Sequence, residues 1–158
     1  MGEKNKGKIG MQQLTAKEIP DHIRSIYKKN PFMADFFHVH IDEIQCGSAT
    51  VSIHTEVDKH ANHRGIIHGG VMAALADSVL GVTGASMGCV VVTVNMNVSY
   101  LKNTIPGATI YAHSRVLHCG RTTMVINASI IDSRGVVLGD MTATIMIVGH
   151  FEEIPREW

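Results

Sequence analysis

The chain contains one long apolar segment, which is followed by a series of alternating apolar and polar positions. The apolar segment covers residues 69–87 and holds a single charged residue, Asp77. Its apolar side chains would fall on every side of a helix, so we predict a helix that is buried all round. A buried carboxylate costs free energy unless it is paired, hydrogen-bonded or functional. Asp77 is therefore the first candidate for chemistry.

Alternating apolar and polar residues predict antiparallel strands before and after this helix. Short turns separate the predicted strands, which cover residues 36–44, 49–56, 90–100, 109–117, 124–131 and 136–148. In the strand at 90–100 the even-numbered residues are apolar and share one face, whereas Thr93 lies on the opposite, polar face. The pattern predicts an α+β domain in which an antiparallel sheet of about six strands wraps around one long hydrophobic helix.

The chain before residue 32 divides into two segments. Residues 1–13 are polar and rich in Lys, Gly and Gln, which predicts a flexible N-terminal arm. Thr15 and Glu18 have the spacing of a capping box, and Ile19 and Ile23 share a helical face. We therefore predict a short helix within residues 14–31, then the main domain at 32–150 and a C-terminal tail at 151–158.

Charge and cysteine content narrow the class of protein. The chain has 158 residues, enough for one domain with a sizeable core, and its 14 Lys and Arg balance 14 Asp and Glu. This balance argues against nucleic acid or an anionic membrane surface as a partner. No uninterrupted apolar run reaches membrane-spanning length, and no signal peptide is recognisable. Three widely spaced cysteines suggest neither a disulfide framework nor a zinc knuckle, so we expect a cytoplasmic protein.

A polar turn with two adjacent glycines leads into the long helix. It reads Asn62-x-x-Gly65-x-x-His68-Gly69-Gly70, and Asp77 follows on the helix. Residues 35–148 resemble the phenylacetate-pathway (PaaI-like) hotdog-fold acyl-CoA thioesterases. The resemblance lies in this motif, in the strand order and in the Val-Thr-Val-Asn-Met-Asn stretch at 92–97. The resemblance implies a hotdog fold and hydrolysis of acyl-CoA thioesters to free acid and CoA. CoA would be part of the substrate, and no separate cofactor is expected.

The chemistry of thioester hydrolysis assigns roles to two positions. The reaction needs an activated water and a donor for the oxyanion that develops on the carbonyl. The first N–H groups of a helix lack intrahelical partners, so the Gly69 N–H is the candidate oxyanion donor and Asp77 the candidate that activates water. The two are about 12 Å apart along one helix at 1.5 Å per residue, too far to act on one thioester. We therefore predict that each site spans two subunits of a homodimer.

The resemblance implies further roles around this shared site. Asn62 would help to polarise the thioester carbonyl, His68 would lie close to the sulfur, and Thr93 would help Asp77 to hold the water. Whether Asp77 acts as a base or forms an anhydride stays open. Further assembly into a homotetramer, a dimer of dimers, is expected. The candidates for contact with the CoA moiety and its phosphates are Gly70, Lys102, Gly120, Arg121 and Thr122.

Structural explanations exist for the same residues. Asp77 could cap a neighbouring loop or pair with a buried histidine, and Thr93 could serve only strand formation. Asn62 could be an ordinary turn residue that stabilises its loop. Each residue alone is ambiguous, and the spacing of the whole set favours a site.

Two other classes of function remain open. A hotdog hydratase or dehydratase would need a histidine and an acid on the two sides of the substrate's α and β carbons. A non-catalytic acyl-CoA-binding module would use the same fold without the chemistry. His60, His63 and His68 have no cysteine or second acidic ligand at the usual zinc spacing, and no metal site is predicted.

Overall fold

A computed structural model describes residues 12–158, and its elements follow the predicted order. The predicted arm at 1–13 therefore falls almost entirely outside the described residues. The elements are α1 (Ile19–Tyr27), a π-helical turn (Phe32–Phe36), β1 (His40–Gln45), β2 (Ser48–His54), a short α2 (Val57–His60), α3 (Gly69–Ala85), β3 (Cys89–Tyr100), β4 (Thr109–Cys119), β5 (Thr123–Asp132) and β6 (Val137–His150).

The six strands form one antiparallel sheet in the order β1-β2-β4-β5-β6-β3. β1 and β3 are therefore the edge strands. α3 packs across the sheet against β2, β3, β4 and β5, and the predicted α+β architecture is confirmed. No helix within residues 12–158 is both long and apolar enough to cross a bilayer.

α3 is buried on most of its surface, but the prediction that it is buried on every side is wrong. Side chains that face the sheet, such as Leu75 and Val79, are fully buried. Asp77 is exposed, and Gly70, Ala74 and Gly81 are at most partly buried. These four positions recur at helical spacing and form an open stripe, because the sheet covers only one side of the helix. The stripe exposes Asp77 to solvent.

A bulge in β3 changes the predicted alternation of faces. Thr93 pairs with Ile145 and Asn95 pairs with Thr144, so Val94 is an extra residue without a partner position. Before the bulge, Val92 and Val94 are exposed; after it, Met96 and Val98 pack against the core. The prediction of one continuous apolar face along 90–100 is therefore wrong.

The segment before β1 also differs from the prediction. The strand expected from residue 36 begins only at His40, because Pro31 opens the π-helical turn and His38 has a positive φ of 51°. The predicted short N-terminal helix is confirmed as α1. Its capping box forms in part: the Thr15 N–H and hydroxyl both donate to Glu18 Oε2, at 2.9 and 2.7 Å.

Candidate active site

Asp77 and Thr93 form a hydrogen-bonded pair beside an open cavity. The Thr93 hydroxyl donates to Asp77 Oδ1 at 2.8 Å, linking the middle of α3 to the edge strand β3. Both residues are exposed and line a cavity of about 230 Å³. A threonine donor leaves the second oxygen of the carboxylate available to a water molecule.

The N-terminus of α3 presents one backbone donor that is not used within the chain. His68 is the N-cap, and its Nδ1 accepts the Gly70 N–H at 2.9 Å. Among residues 12–158, no atom accepts a hydrogen bond from the Gly69 N–H. The Tyr100 ring packs so closely that a Cβ on Gly69 would lie 3.2 Å from it. The Gly69 N–H is therefore available to an acceptor from outside the chain, as the predicted role of oxyanion donor requires.

Asn62 holds the loop before α3 in shape. Its Oδ1 accepts the backbone N–H groups of Arg64 and Ile66, at 2.9 and 3.4 Å, and Gly65 has a positive φ of 73°. The side-chain oxygen therefore has the structural role of a turn residue. Within residues 12–158 the side-chain NH₂ group of Asn62 donates to no acceptor, so it could donate to a carbonyl oxygen of a ligand.

His60 anchors the same loop from the other side. The Glu56 N–H donates to His60 Nδ1 at 2.8 Å, and the carbonyl oxygen of His60 accepts the His68 N–H at 2.9 Å. The side chain is buried, and burial lowers the pKa of His60 against the smaller opposing effect of Glu56. The ring is held neutral, as its role as a hydrogen-bond acceptor requires.

The two halves of the proposed chemistry lie in different cavities of one chain. Asp77 and Thr93 line the first, and His68 and Gly70 line a second of about 510 Å³. Phe32 lies between them and lines both. Within one chain, Asp77 therefore lies beside Thr93, and His68 lies at the N-terminus of α3. The two pairs do not lie next to each other.

Comparison with known proteins identifies the architecture. The model of the thioesterase superfamily matches residues 64–138. The PaaI protein of the E. coli phenylacetic acid degradation operon superposes with a TM-score of 0.78 at 20% identity, over 85% of this chain and 96% of that one. The chain has the hotdog fold. The resemblance to PaaI-like thioesterases, predicted from the motif at 62–77, is confirmed.

Two streptococcal hotdog proteins are more similar in sequence. The smu.793 protein of Streptococcus mutans, solved with acetyl CoA, has a TM-score of 0.69 and 29% identity, over 73% of this chain and 92% of that one. A hypothetical thioesterase of Streptococcus pneumoniae, solved with coenzyme A, has a TM-score of 0.68 and 27% identity with the same coverage. A comparison with curated proteins gave no match.

The candidates for phosphate contacts lie at opposite ends of this hotdog domain. Gly120, Arg121 and Thr122 form the β4–β5 turn, which the strand register places at the level of Val92. Lys102 is exposed and follows the end of β3 at Tyr100, which is itself roughly 26 Å from Val92 along the strand at about 3.3 Å per residue. Lys102 and Arg121 of one chain are therefore not brought together.

The sequence reasoning missed several side chains that line the hotdog domain's cavities. Tyr27, Phe32 and Met33 line the Asp77 cavity, and Phe36 and Phe37 line the cavity beside His68. Three of the four phenylalanines in the sequence fall within residues 32–37, a concentration that could have drawn attention to this segment. Because residues 36–44 were predicted as a strand, this group of phenylalanines was not considered as part of a cavity wall.

Proposed function

We propose that this protein hydrolyses acyl-CoA thioesters to a free acid and CoA. The observation that carries the proposal is the exposed Asp77 carboxylate, hydrogen-bonded to Thr93 at the edge of a cavity on a hotdog domain. Structures of relatives at 29% and 27% identity contain acetyl CoA and coenzyme A. Both ligands carry the nucleotide and the pantetheine arm of the proposed substrate.

A second correspondence supports the assignment of Asp77 and Thr93. The S. pneumoniae thioesterase was also solved as two alanine variants, one at an aspartate and one at a threonine sixteen residues later. Asp77 and Thr93 are sixteen residues apart. The pair chosen for substitution in that protein therefore has the sequence spacing of the hydrogen-bonded pair described above.

The proposed reaction is general-base hydrolysis. Asp77 takes a proton from a water molecule, whose oxygen attacks the thioester carbonyl carbon. The Gly69 N–H of the partner subunit and the Asn62 side chain donate to the oxyanion. Collapse of the intermediate breaks the carbon–sulfur bond, and the proton returns to the sulfur, close to His68. Thr93 orients the carboxylate throughout.

A dimer is part of this mechanism, because within one chain Asp77 lines one cavity, whereas His68 and Gly70, the neighbours of Gly69, line another. A two-fold axis that places Asp77 of one chain opposite Gly69 of the other also places the candidate phosphate-binding cation Arg121 of one chain opposite Lys102 of the other. Lys102 lies beyond the Tyr100 end of β3, and Arg121 lies at the Val92 end. The cations that are far apart in one chain would then approach each other across the axis and hold the CoA phosphates together with Gly70.

The proposal extends to the assembly and the location of the protein. We propose a homotetramer built from two such dimers. The three cysteines are free, which fits a reducing compartment such as the cytoplasm.

The experiment is a thiol-release assay with a panel of acyl-CoAs on the wild type and Asp77→Asn. We expect hydrolysis by the wild type, and a loss of about 100- to 10,000-fold in kcat for Asp77→Asn, since the amide cannot accept the proton. The variant should still bind acyl-CoA. If the folded wild type binds acyl-CoA but releases no thiol, the protein is a binding module and the proposal is wrong. Hydration of an unsaturated acyl-CoA would replace it with a hydratase.

A further inference from the structure

We propose that Tyr27 closes the acyl cavity beside Asp77 and restricts the enzyme to short acyl groups. This inference rests on the proposed function, and it names a specificity-determining residue in α1, outside the segment that matches the thioesterase superfamily.

The cavity beside Asp77 suits the acyl group and not the nucleotide. The acyl chain is bonded to the carbonyl carbon that the activated water attacks, so it begins next to Asp77. The cavity walls combine the apolar Phe32, Met33 and Val91 with the polar Asn30 and Ser78, and no lysine, arginine or histidine of residues 12–158 lines it. CoA phosphates need cationic contacts, which this cavity lacks. Only the part of its wall formed by Phe32, Met33 and Val91 can contact a hydrocarbon chain, which suits a short acyl group.

A second cavity lies behind the first. It has a volume of about 350 Å³, opens to solvent, and is lined by α1, the segment after it and β1, with the apolar Val39 and Ile41 beside the charged Arg24 and Lys28. Tyr27 and Met33 line both cavities. These two side chains therefore form the partition between the space beside Asp77 and the space behind it.

Tyr27 is held in this position by α3. Its hydroxyl lies so close to the helix that a Cβ on Gly81 would be 2.6 Å from it. Gly81 is one helical turn beyond Asp77 on the open stripe, so the ring of Tyr27 crosses the path of a chain that extends from the carbonyl. Ile19 and Ile23, fully buried on the same helix, fix α1 against the domain.

The volumes translate this partition into substrate length. About 230 Å³ is below the range of about 300 to 1,000 Å³ typical of pockets that enclose drug-sized ligands. The cavity alone therefore suits short acyl groups. Joined to the 350 Å³ behind Tyr27, it falls within that range and could hold a longer chain.

The test compares chain-length profiles of the wild type, Tyr27→Ala and Tyr27→Phe. Tyr27→Ala should raise the ratio of kcat/KM for long over short acyl-CoAs about tenfold, the effect of burying roughly two more methylene groups. Tyr27→Phe keeps the ring and should leave the ratio near that of the wild type. Tyr111→Ala is the matched control, because Tyr111 is half-buried on the outer face of β4, stacked on His113.

A binding measurement separates this inference from the proposed function. The Kd values of non-hydrolysable acyl-CoA thioethers of increasing length, measured by calorimetry, report the cavity even if no thioester is hydrolysed. The same shift toward longer chains is expected for Tyr27→Ala. If that variant does not fold, Tyr27→Leu and Met33→Ala open the partition less drastically. An unchanged length preference in the folded variants would overturn the role of Tyr27.

Discussion

Gly81 has no side chain, and this allows Tyr27 to lie directly against α3. A Cβ at residue 81 would be 2.6 Å from the Tyr27 hydroxyl oxygen but 3.4 Å from the nearest ring carbons. The conflict therefore involves the hydroxyl oxygen alone. Residues 27 and 81 are coupled through this single atom.

We expect Gly81→Ala to destabilise the protein when Tyr27 is present, because overpacking typically costs about 1–3 kcal/mol. In a Tyr27→Phe background the same change should be neutral or stabilising by up to about 1 kcal/mol, since alanine is a better helix former than glycine. Denaturant unfolding of the four proteins measures the coupling free energy. Equal effects of Gly81→Ala in both backgrounds would show that Tyr27 does not press on α3.

At this scale the sequence identified residues whose roles depend on local spacing. The helix pattern places the two glycines at the start of α3 and the single carboxylate within it, and the structure has both there; their catalytic roles stay predictions. Tyr27 could not be assigned to the site, because its contact with Gly81 joins segments 54 residues apart in the chain and no local pattern records it.

The loop between β2 and α3 depends on a neutral histidine. His60 is buried, accepts the Glu56 N–H through Nδ1, and binds the His68 N–H through its carbonyl oxygen. A protonated ring would have no lone pair for the first of these bonds. Protonation therefore weakens the segment that positions the start of α3.

Because folding lowers the pKa of His60 from its ordinary value of 6.5, the unfolded chain binds this proton more tightly than the folded one. The contribution of His60 to stability should be complete above about pH 6.5 and decline as the pH falls toward the lower folded pKa. We expect the wild type to lose more Tm between pH 7.5 and 5 than His60→Gln, which cannot titrate. Parallel decreases in the two proteins would contradict this role.

Element type was predictable where periodicity was regular, and this covers α3 and all strands that follow it. Two features broke the pattern. The bulge at Val94 shifts the side chains of β3 by one position, and alternation in sequence cannot reveal an unpaired residue. The π-helical turn at Phe32–Phe36 is only five residues long, too short to show a periodicity, and its last residue overlaps the strand predicted from residue 36.

Each proposed active site needs residues from both subunits of a dimer. Asp77→Asn and Gly69→Pro each remove one half of every site, the second by deleting the backbone N–H. A mixture of the two variants should contain heterodimers with one intact site and one doubly damaged site. After dissociation and random reassembly in equal amounts, we expect recovery of about a quarter of the wild-type activity.

Gly69→Ala is the matched control, because it keeps the N–H and adds only a Cβ about 3.2 Å from the Tyr100 ring. It should retain much of the activity on its own. Native mass spectrometry verifies that heterodimers have formed. Heterodimers without activity would exclude a site shared between subunits.

Three glycines of α3 allow a neighbour to approach its backbone from a different direction: Tyr100 at Gly69, Tyr27 at Gly81 and Val91 at Gly84. With so little clearance, the helix has almost no freedom to slide or rotate within the domain. We expect α3 to keep its position within the domain during turnover. Widening of the acyl cavity must then come from α1 and the π-helical turn, so the rate of substrate entry would be set by the N-terminal segment, while the residues that perform the chemistry stay still.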